Sequence, residues 1–289
     1  MFQIENDRLK ITIDPKGAEL KSIVRKDLDL EYMWNGDPAF WAKTSPVLFP
    51  IVGTLKENTY YYEGQAYHLG RHGFARDQVF TVSQQSSDSI TLSIQSNEDT
   101  LAVYPFTFTF SIVYTIKGEE LSVAYHVQNK GESPLFFSVG GHPAFKVPLV
   151  EGTRYEDYHL VFEKEEKAGR WPISKDGLIE KEPRPLLQGT AVLPITKSLF
   201  SKDALVLKGL QSQWVELSSE KTPHGLRFSF PGFSYLGLWA APGADFVCIE
   251  PWCGIADSVD SNQQLQDKEG VLQLQPMEEF KRQWSVLFY

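Results

Sequence analysis

Two residues stand where proton-transfer groups would have to stand. His142 follows Gly140 and Gly141 at the end of the β-rich run Leu135-Phe-Phe-Ser-Val139, inside Ser138-Val-Gly-Gly-His-Pro-Ala-Phe145. Two positions without Cβ let a ligand or another chain segment approach closely, and Pro143 removes a donor and helps end the strand. Glu250 closes a second apolar run, Phe246-Val-Cys-Ile-Glu250, and is followed by Pro251 and Trp252. A carboxylate delivered from a buried strand end into a Pro/Gly/Trp loop is partly desolvated, which raises its pKa toward a value useful for proton transfer. Each residue also has a plainer reading, His142 as a surface histidine beside a glycine bulge and Glu250 as a salt-bridged strand terminus.

The elements needed to hold such a pair are visible along the chain. Residues 2 to 34 alternate apolar and polar positions (Leu9, Ile11, Ile13, then Leu20, Ile23), broken by turn signals at Asp14-Pro-Lys-Gly17 and Arg25-Lys-Asp27, the pattern of an antiparallel meander. Between Asp37 and Gly53, prolines 38, 46 and 50 exclude a long helix or a central strand and leave an irregular aromatic-rich loop of the kind that often carries function. Tyr60 to Tyr67 reads as a hairpin turning at Glu63-Gly64. Strands are expected at Phe80–Ser83, Ser89–Gln95, Phe106–Ile116 and Leu121–Gln128, with a short helical or turn connection from Asn97 to Tyr104.

The stretch Glu151–Gly189 is polar and proline-containing and reads as hairpins and loops, and Thr196–Ser201 as a helical turn. Further strands follow at Asp203–Leu207, Trp214–Leu217, Leu226–Phe230, Tyr235–Trp239 and Phe246–Glu250, and the tail alternates again. No helical period is sustained, no repeat stands out and no linker divides the chain. Many short strands with frequent turns point to an all-β chain, a large sandwich of antiparallel sheets forming one domain over residues 1–289.

Composition limits the function classes. The chain is 42% hydrophobic and carries a formal net charge of −9 with no dense Lys/Arg stripe, which disfavours nucleic acid as a partner. The N-terminus lacks the basic and apolar regions of a signal peptide, and no apolar run approaches the length of a membrane span. The expectation is a soluble, cytoplasmic protein without a membrane partner. Cys248 and Cys253 are expected as free thiols, since no His or further Cys stands nearby in sequence to complete a zinc set.

Taken together, the motifs Ser-x-Gly-Gly-His-Pro-Ala-Phe, Ile-Glu-Pro-Trp-x-Gly and, upstream, His72-Gly-Phe-Ala-Arg76 resemble those of the aldose 1-epimerases (mutarotases). The resemblance runs nearly the full length, from Gly17-Ala-Glu-Leu20 onward, and is strongest to the branch of LacX-type and hexose-6-phosphate 1-epimerase-related proteins. It implies a β-supersandwich with a sugar cleft on its concave sheet and no cofactor or metal. His142 then matches the family's general acid, Glu250 its general base, His72 a second histidine on the sugar ring, and Asp203 an acidic ligand of sugar hydroxyls. Arg76 could bind sugar hydroxyls, and Arg71, Arg76 and Lys56 could hold a phosphate through charge-assisted bonds. Where galactose-type members carry Gly-Arg-x-x-Asn-Arg, this chain reads Val52-Gly-Thr-Leu-Lys-Glu57, with Lys56 as the only basic residue, which argues against a galactose preference.

The implied reaction interconverts the α and β anomers of a hexose. One group removes the proton of the anomeric hydroxyl while another protonates the ring oxygen; the ring opens, the aldehyde rotates and the ring closes on the other face. Aromatic residues would pack on the apolar faces of the sugar, with Trp252, Trp239, Phe233 and Tyr235 in view and ordinary core packing as the alternative for each. His68, His126, His159 and His224 are given no role. The partner is thus a small sugar, free or phosphorylated, and the chain a monomer or homodimer. A non-catalytic sugar-binding or sensing protein would need neither acid nor base. A glycoside hydrolase would need a second carboxylate, for which only Asp203 and Asp257 stand in view.

Overall fold

In the computed structural model, which describes all residues from Met1 to Tyr289, the chain is built from short strands joined by turns, with one α-helix, Glu98–Val103, and five 3₁₀ turns. Every ladder between these strands is antiparallel. The alternation of Leu9, Ile11 and Ile13 produces what it implies, a strand Leu9–Asp14 with those three side chains fully buried and the intervening ones half-exposed. It lies in a four-stranded meander with Phe2–Glu5, Glu19–Arg25 and Leu30–Glu31.

Two large sheets form the body. A nine-stranded sheet runs in the order Thr190–Pro194, Tyr158–Glu166, Trp214–Ser219, Thr222–Ser229, Glu279–Phe288, Glu120–Asn129, Phe108–Lys117, Ser89–Gln95, Thr81–Gln85. The C-terminal strand therefore sits in its middle, paired with Glu120–Asn129 on one side and Thr222–Ser229 on the other. The second sheet runs Arg184–Pro185, Gly169–Trp171, Leu205–Lys208, Tyr235–Trp239, Phe246–Cys253, Val139–Gly141, Val47–Leu48, with Ala144–Lys146 also paired to Phe246–Cys253. One apolar cluster reaches from Ile4 to Phe288, dominated by aromatic rings such as Phe49, Phe110, Tyr104 and Trp284. The architecture is the all-β sandwich of large antiparallel sheets expected from the pattern. No helix is long and apolar enough to cross a membrane.

Local expectations hold where turn chemistry is explicit. Glu63 and Gly64 both take positive φ, 50° and 78°, and close a two-residue hairpin between Thr59–Tyr62 and Gln65–His68. Asn97 caps the short helix, its side chain accepting from the Thr100 N–H at 2.9 Å. Two expectations need correction. The run Leu135–Val139 is not one strand: Leu135–Phe137 pairs with Leu272–Leu274, and only Val139–Gly141 joins the second large sheet. Glu250 does not end its strand, because Phe246–Cys253 continues through Pro251 and Trp252. Ile249 donates to the Pro143 carbonyl, so two residues on, the nitrogen of Pro251 faces the stretch Gly141–Pro143, where regular pairing is interrupted. No ladder bond is lost by its missing N–H.

Candidate active site

The register of that interruption brings the proton-transfer pair together. Gly140 lies opposite Trp252 and Ala144 opposite Cys248, so the residues midway between, His142 and Glu250, face each other from adjacent strands on one face of the sheet. Directly opposed residues have Cβ atoms about 4.5–5.5 Å apart. Here His142 Nε2 lies 3.3 Å from Glu250 Oε2. The two side chains therefore touch. On the far side of Glu250 the row continues through Gly237. A Cβ at Gly237 would stand 2.4 Å from Trp252 Cζ2, and one at Gly140 2.7 Å from Trp252 Cδ1, so both glycines make room for the indole beside the pair.

Above this floor opens a cavity of about 580 Å³, well within the size of small-ligand sites. Its walls bring together His142, Glu250, His72, Arg71, Arg76 and Asp203, together with Trp252 and Trp239. Lys56 is not among them: its ammonium donates to the Ser261 carbonyl at 3.3 Å and its backbone N–H to Asp257. Asp257 is likewise outside, held by the buried Lys268 at 2.7 Å. Phe233 lies in the main core, and the Tyr235 hydroxyl donates to Glu269. None of His68, His126, His159 and His224 lines the cavity.

His72 is held in a left-handed conformation, φ 69°, and its Nδ1 accepts the Gly53 N–H at 3.1 Å. That bond assigns the ring proton to Nε2, a donor for the cavity. Arg71 Nε donates to Thr54 Oγ1 at 2.9 Å, and Gly177 packs so closely that a Cβ there would lie 2.5 Å from Arg71 Nη2. Asp203 sits in the turn before Leu205–Lys208 rather than within a strand, at φ 103°, accepting from the Ala204 N–H at 2.7 Å.

Sequence reasoning missed several lining residues. Trp41 is the most consequential: its ring lies on the His142 imidazole, centroids 4.9 Å apart at 30°, and meets Trp239 edge-on at 5.3 Å. Lys43 and Pro46 belong to the same proline-rich loop, whose irregularity was legible but whose destination was not. Buried Glu19 anchors that loop, its Oε1 accepting from the Thr44 N–H at 2.6 Å, the Thr44 hydroxyl at 2.9 Å and the Ser45 N–H at 3.2 Å. Ile173 to Ile179, within the stretch read as loops, forms another wall, and Lys202 lies beside Asp203.

Burial governs the electrostatics. Loss of hydration lowers the His142 pKa to about 3, with Arg76 and Arg71 pushing the same way against a backbone hydrogen bond, and lowers that of His72 for the same first cause. It raises Glu250 well above the carboxylate range, with Asp203 adding to the rise and Arg71 opposing it. Both shifts favour the uncharged forms, a neutral imidazole and a neutral carboxyl. The Trp252 indole N–H lies close to that carboxyl yet makes no sound hydrogen bond, and His142 Nδ1 also lacks a partner. One group of donors has chelating geometry: His142, Cys248 and Glu250, all buried, with ligand atoms within 4.8 Å of one another. Both cysteines are free thiols.

The model of the aldose 1-epimerase family matches residues 1–269. The chain belongs to the aldose 1-epimerase family. It is 35% identical to the plasmid-encoded protein LacX of Lactococcus lactis over 294 aligned positions, covering 99% of this chain and 98% of that one. Among solved structures it is similar to a galactose mutarotase related enzyme from Lactobacillus acidophilus, with a TM-score of 0.95 and 35% identity over 100% of this chain and 97% of the other. A galactose mutarotase-like protein from Lactobacillus casei matches with a TM-score of 0.94 and 30% identity, each chain covered fully. Membership of the epimerase family and the galactose mutarotase-like fold are thereby shown.

Proposed function

We propose that the protein is an aldose 1-epimerase that interconverts the anomers of a hexose by general acid and base catalysis on the His142–Glu250 pair. The observation that carries this reading is the contact of these two groups on the floor of a cavity walled by Trp41, Trp239 and Trp252. The anomeric hydroxyl oxygen and the ring oxygen are bonded to the same carbon. A base and an acid in contact, rather than across a ring, can therefore address both at once. A pyranose lying over the pair supplies hydroxyls that hydrogen-bond the carboxyl, which favours its ionised form, and the proton moves to the adjacent imidazole. Glu250 then takes the anomeric hydroxyl proton while the imidazolium gives its proton to the ring oxygen, and the roles reverse on closure. Each positioned group contributes about 10²- to 10⁴-fold. His72 Nε2 and Asp203 offer a donor and an acceptor for ring hydroxyls, and Trp41 and Trp239 offer apolar faces for the C–H surfaces of the sugar.

A second reading, that the substrate is a hexose 6-phosphate, is favoured by the charges of the wall. Lys43, Arg71, Arg76 and Lys202 line the cavity against only Asp203 and Glu250, in a chain whose net charge is −9. Such an inversion of sign suits an anionic group on the sugar. The test is magnetisation-exchange NMR on glucose, galactose and their 6-phosphates, with wild type and His142→Asn. Accelerated exchange that is lost in the variant is expected. Sugar binding without acceleration would replace the epimerase by a sugar-binding protein on the same fold, and equal rates with and without phosphate would remove the second reading.

A further inference from the structure

The proton-transfer pair has a third neighbour that the proposed reaction does not use. Cys248 is on the same strand and the same face as Glu250, two residues away and fully buried, between Ala144 on one neighbouring strand and Trp239 on the other. His142, Glu250 and Cys248 thus present a nitrogen, a carboxylate oxygen and a sulfur around one point, all within 4.8 Å of one another. A tetrahedral ion bound at about 2.0–2.3 Å needs ligand atoms about 3.5 Å apart, close to the observed His142–Glu250 spacing of 3.3 Å.

We propose that His142, Cys248 and Glu250 form a binding site for a soft divalent cation of the zinc type, and that its occupation blocks the proton-transfer pair. Charge supports this assignment as much as geometry. A dry pocket rejects an isolated charge, but a doubly charged cation with one thiolate, one carboxylate and one neutral imidazole sums to zero. Binding displaces the thiol and carboxyl protons to solvent and leaves the imidazole neutral, so no oxidation or other co-reactant is involved. The thiolate selects Zn²⁺, Cd²⁺ or Co²⁺ over Mg²⁺ and Ca²⁺. Three protein ligands leave a fourth position open toward the cavity, where a sugar would otherwise lie. Occupation removes the base and the acid together, so metal binding inhibits the same site. Its inhibitory half rests on the epimerase reading, and its binding half does not.

Co²⁺ is the probe for binding. Titration of the intact protein is expected to give one equivalent of bound Co²⁺ and near-ultraviolet thiolate-to-cobalt absorption, which Cys248→Ser abolishes. Zn²⁺ is expected to slow anomer exchange reversibly, with EDTA restoring it and glucose competing. Relative to each protein's own metal-free rate, Cys248→Ser should need at least about tenfold more Zn²⁺ for the same inhibition. Cys248→Ala serves if the serine variant does not fold. Absence of the charge-transfer band, its survival in the variant through Cys253, or equal Zn²⁺ sensitivity of variant and wild type would overturn the proposal. A band in a protein that turns over no sugar would keep the metal site and reject the epimerase.

Discussion

His142 Nε2 and Glu250 Oε2 are 3.3 Å apart on opposed positions of adjacent strands, and burial favours the neutral form of each. The stability of the protein and its proposed chemistry are therefore set against each other at this point. Glu250→Gln is expected to lower kcat by about 10²- to 10⁴-fold while leaving the fold intact. In the unfolded chain Glu250 ionises near its ordinary value of 4.5, whereas the folded protein keeps the proton, so wild type loses stability as pH rises above that value toward the raised folded pKa. The glutamine variant has no such loss. Its Tm should equal or exceed that of wild type at pH 8, and the difference should shrink as the pH is lowered toward 4.5.

The histidine makes the opposite prediction. Its folded pKa is depressed to about 3, so between pH 6.5 and 3 the unfolded chain binds a proton that the folded chain refuses, and stability falls as pH falls. The contribution is as much as about 1.4 kcal/mol per pH unit in that window. His72, lowered for the same reason, adds to it. Denaturant melts at pH 7 and pH 4.5 should show a smaller drop for His142→Gln than for wild type. An equal drop in both would mean that His142 is not held neutral.

Trp41 covers one face of the imidazole and so helps exclude water from it. Trp41→Ala should reduce kcat/KM by roughly 2- to 12-fold, the equivalent of an aromatic contact of about 0.5–1.5 kcal/mol. It should also raise the low-pH inflection of the rate profile, because rehydration returns the His142 pKa toward 6.5. Trp41→Phe should restore most of both. A KM change alone, with no movement of the pH profile, would make Trp41 a sugar contact only.

Glu19 does not itself line the cavity, yet it holds the loop that carries Trp41 and Lys43 through its bonds to Thr44 and Ser45 and an ion pair with Lys43 at 3.8 Å. Glu19→Ala leaves the Thr44 and Ser45 N–H groups buried and unpaired, each costing about 1–3 kcal/mol, while the Thr44 hydroxyl keeps the Leu20 carbonyl at 2.7 Å. Tm should fall by several degrees, and exchange activity should fall further than Tm accounts for when both are measured at a temperature where the variant is folded. Activity tracking the folded fraction alone would show that the loop keeps its place without the carboxylate.

What could be read from the residues was the part governed by local chemistry. Period-two alternation and turn residues were enough for the sheets, the Glu63-Gly64 hairpin and the capped helix at Asn97, because each depends on side chains within a few positions. His142 and Glu250 could be singled out from their strand-end motifs, and the resemblance to the epimerases added His72, Arg71, Arg76 and Asp203, all of which line one cavity. Tertiary structure decided what those groups are to one another. The touching of His142 and Glu250 follows from the register between two segments more than a hundred residues apart, and no local pattern encodes register across such a distance. Trp41 reaches the imidazole because a buried carboxylate on a different sheet anchors its loop, and Lys56 misses the cavity because Ser261 and Asp257 take its donors first. Burial itself, which sets the protonation of the pair, belongs to the packed molecule alone: a chain in water hydrates every one of these groups, and only the closed sheet takes that water away.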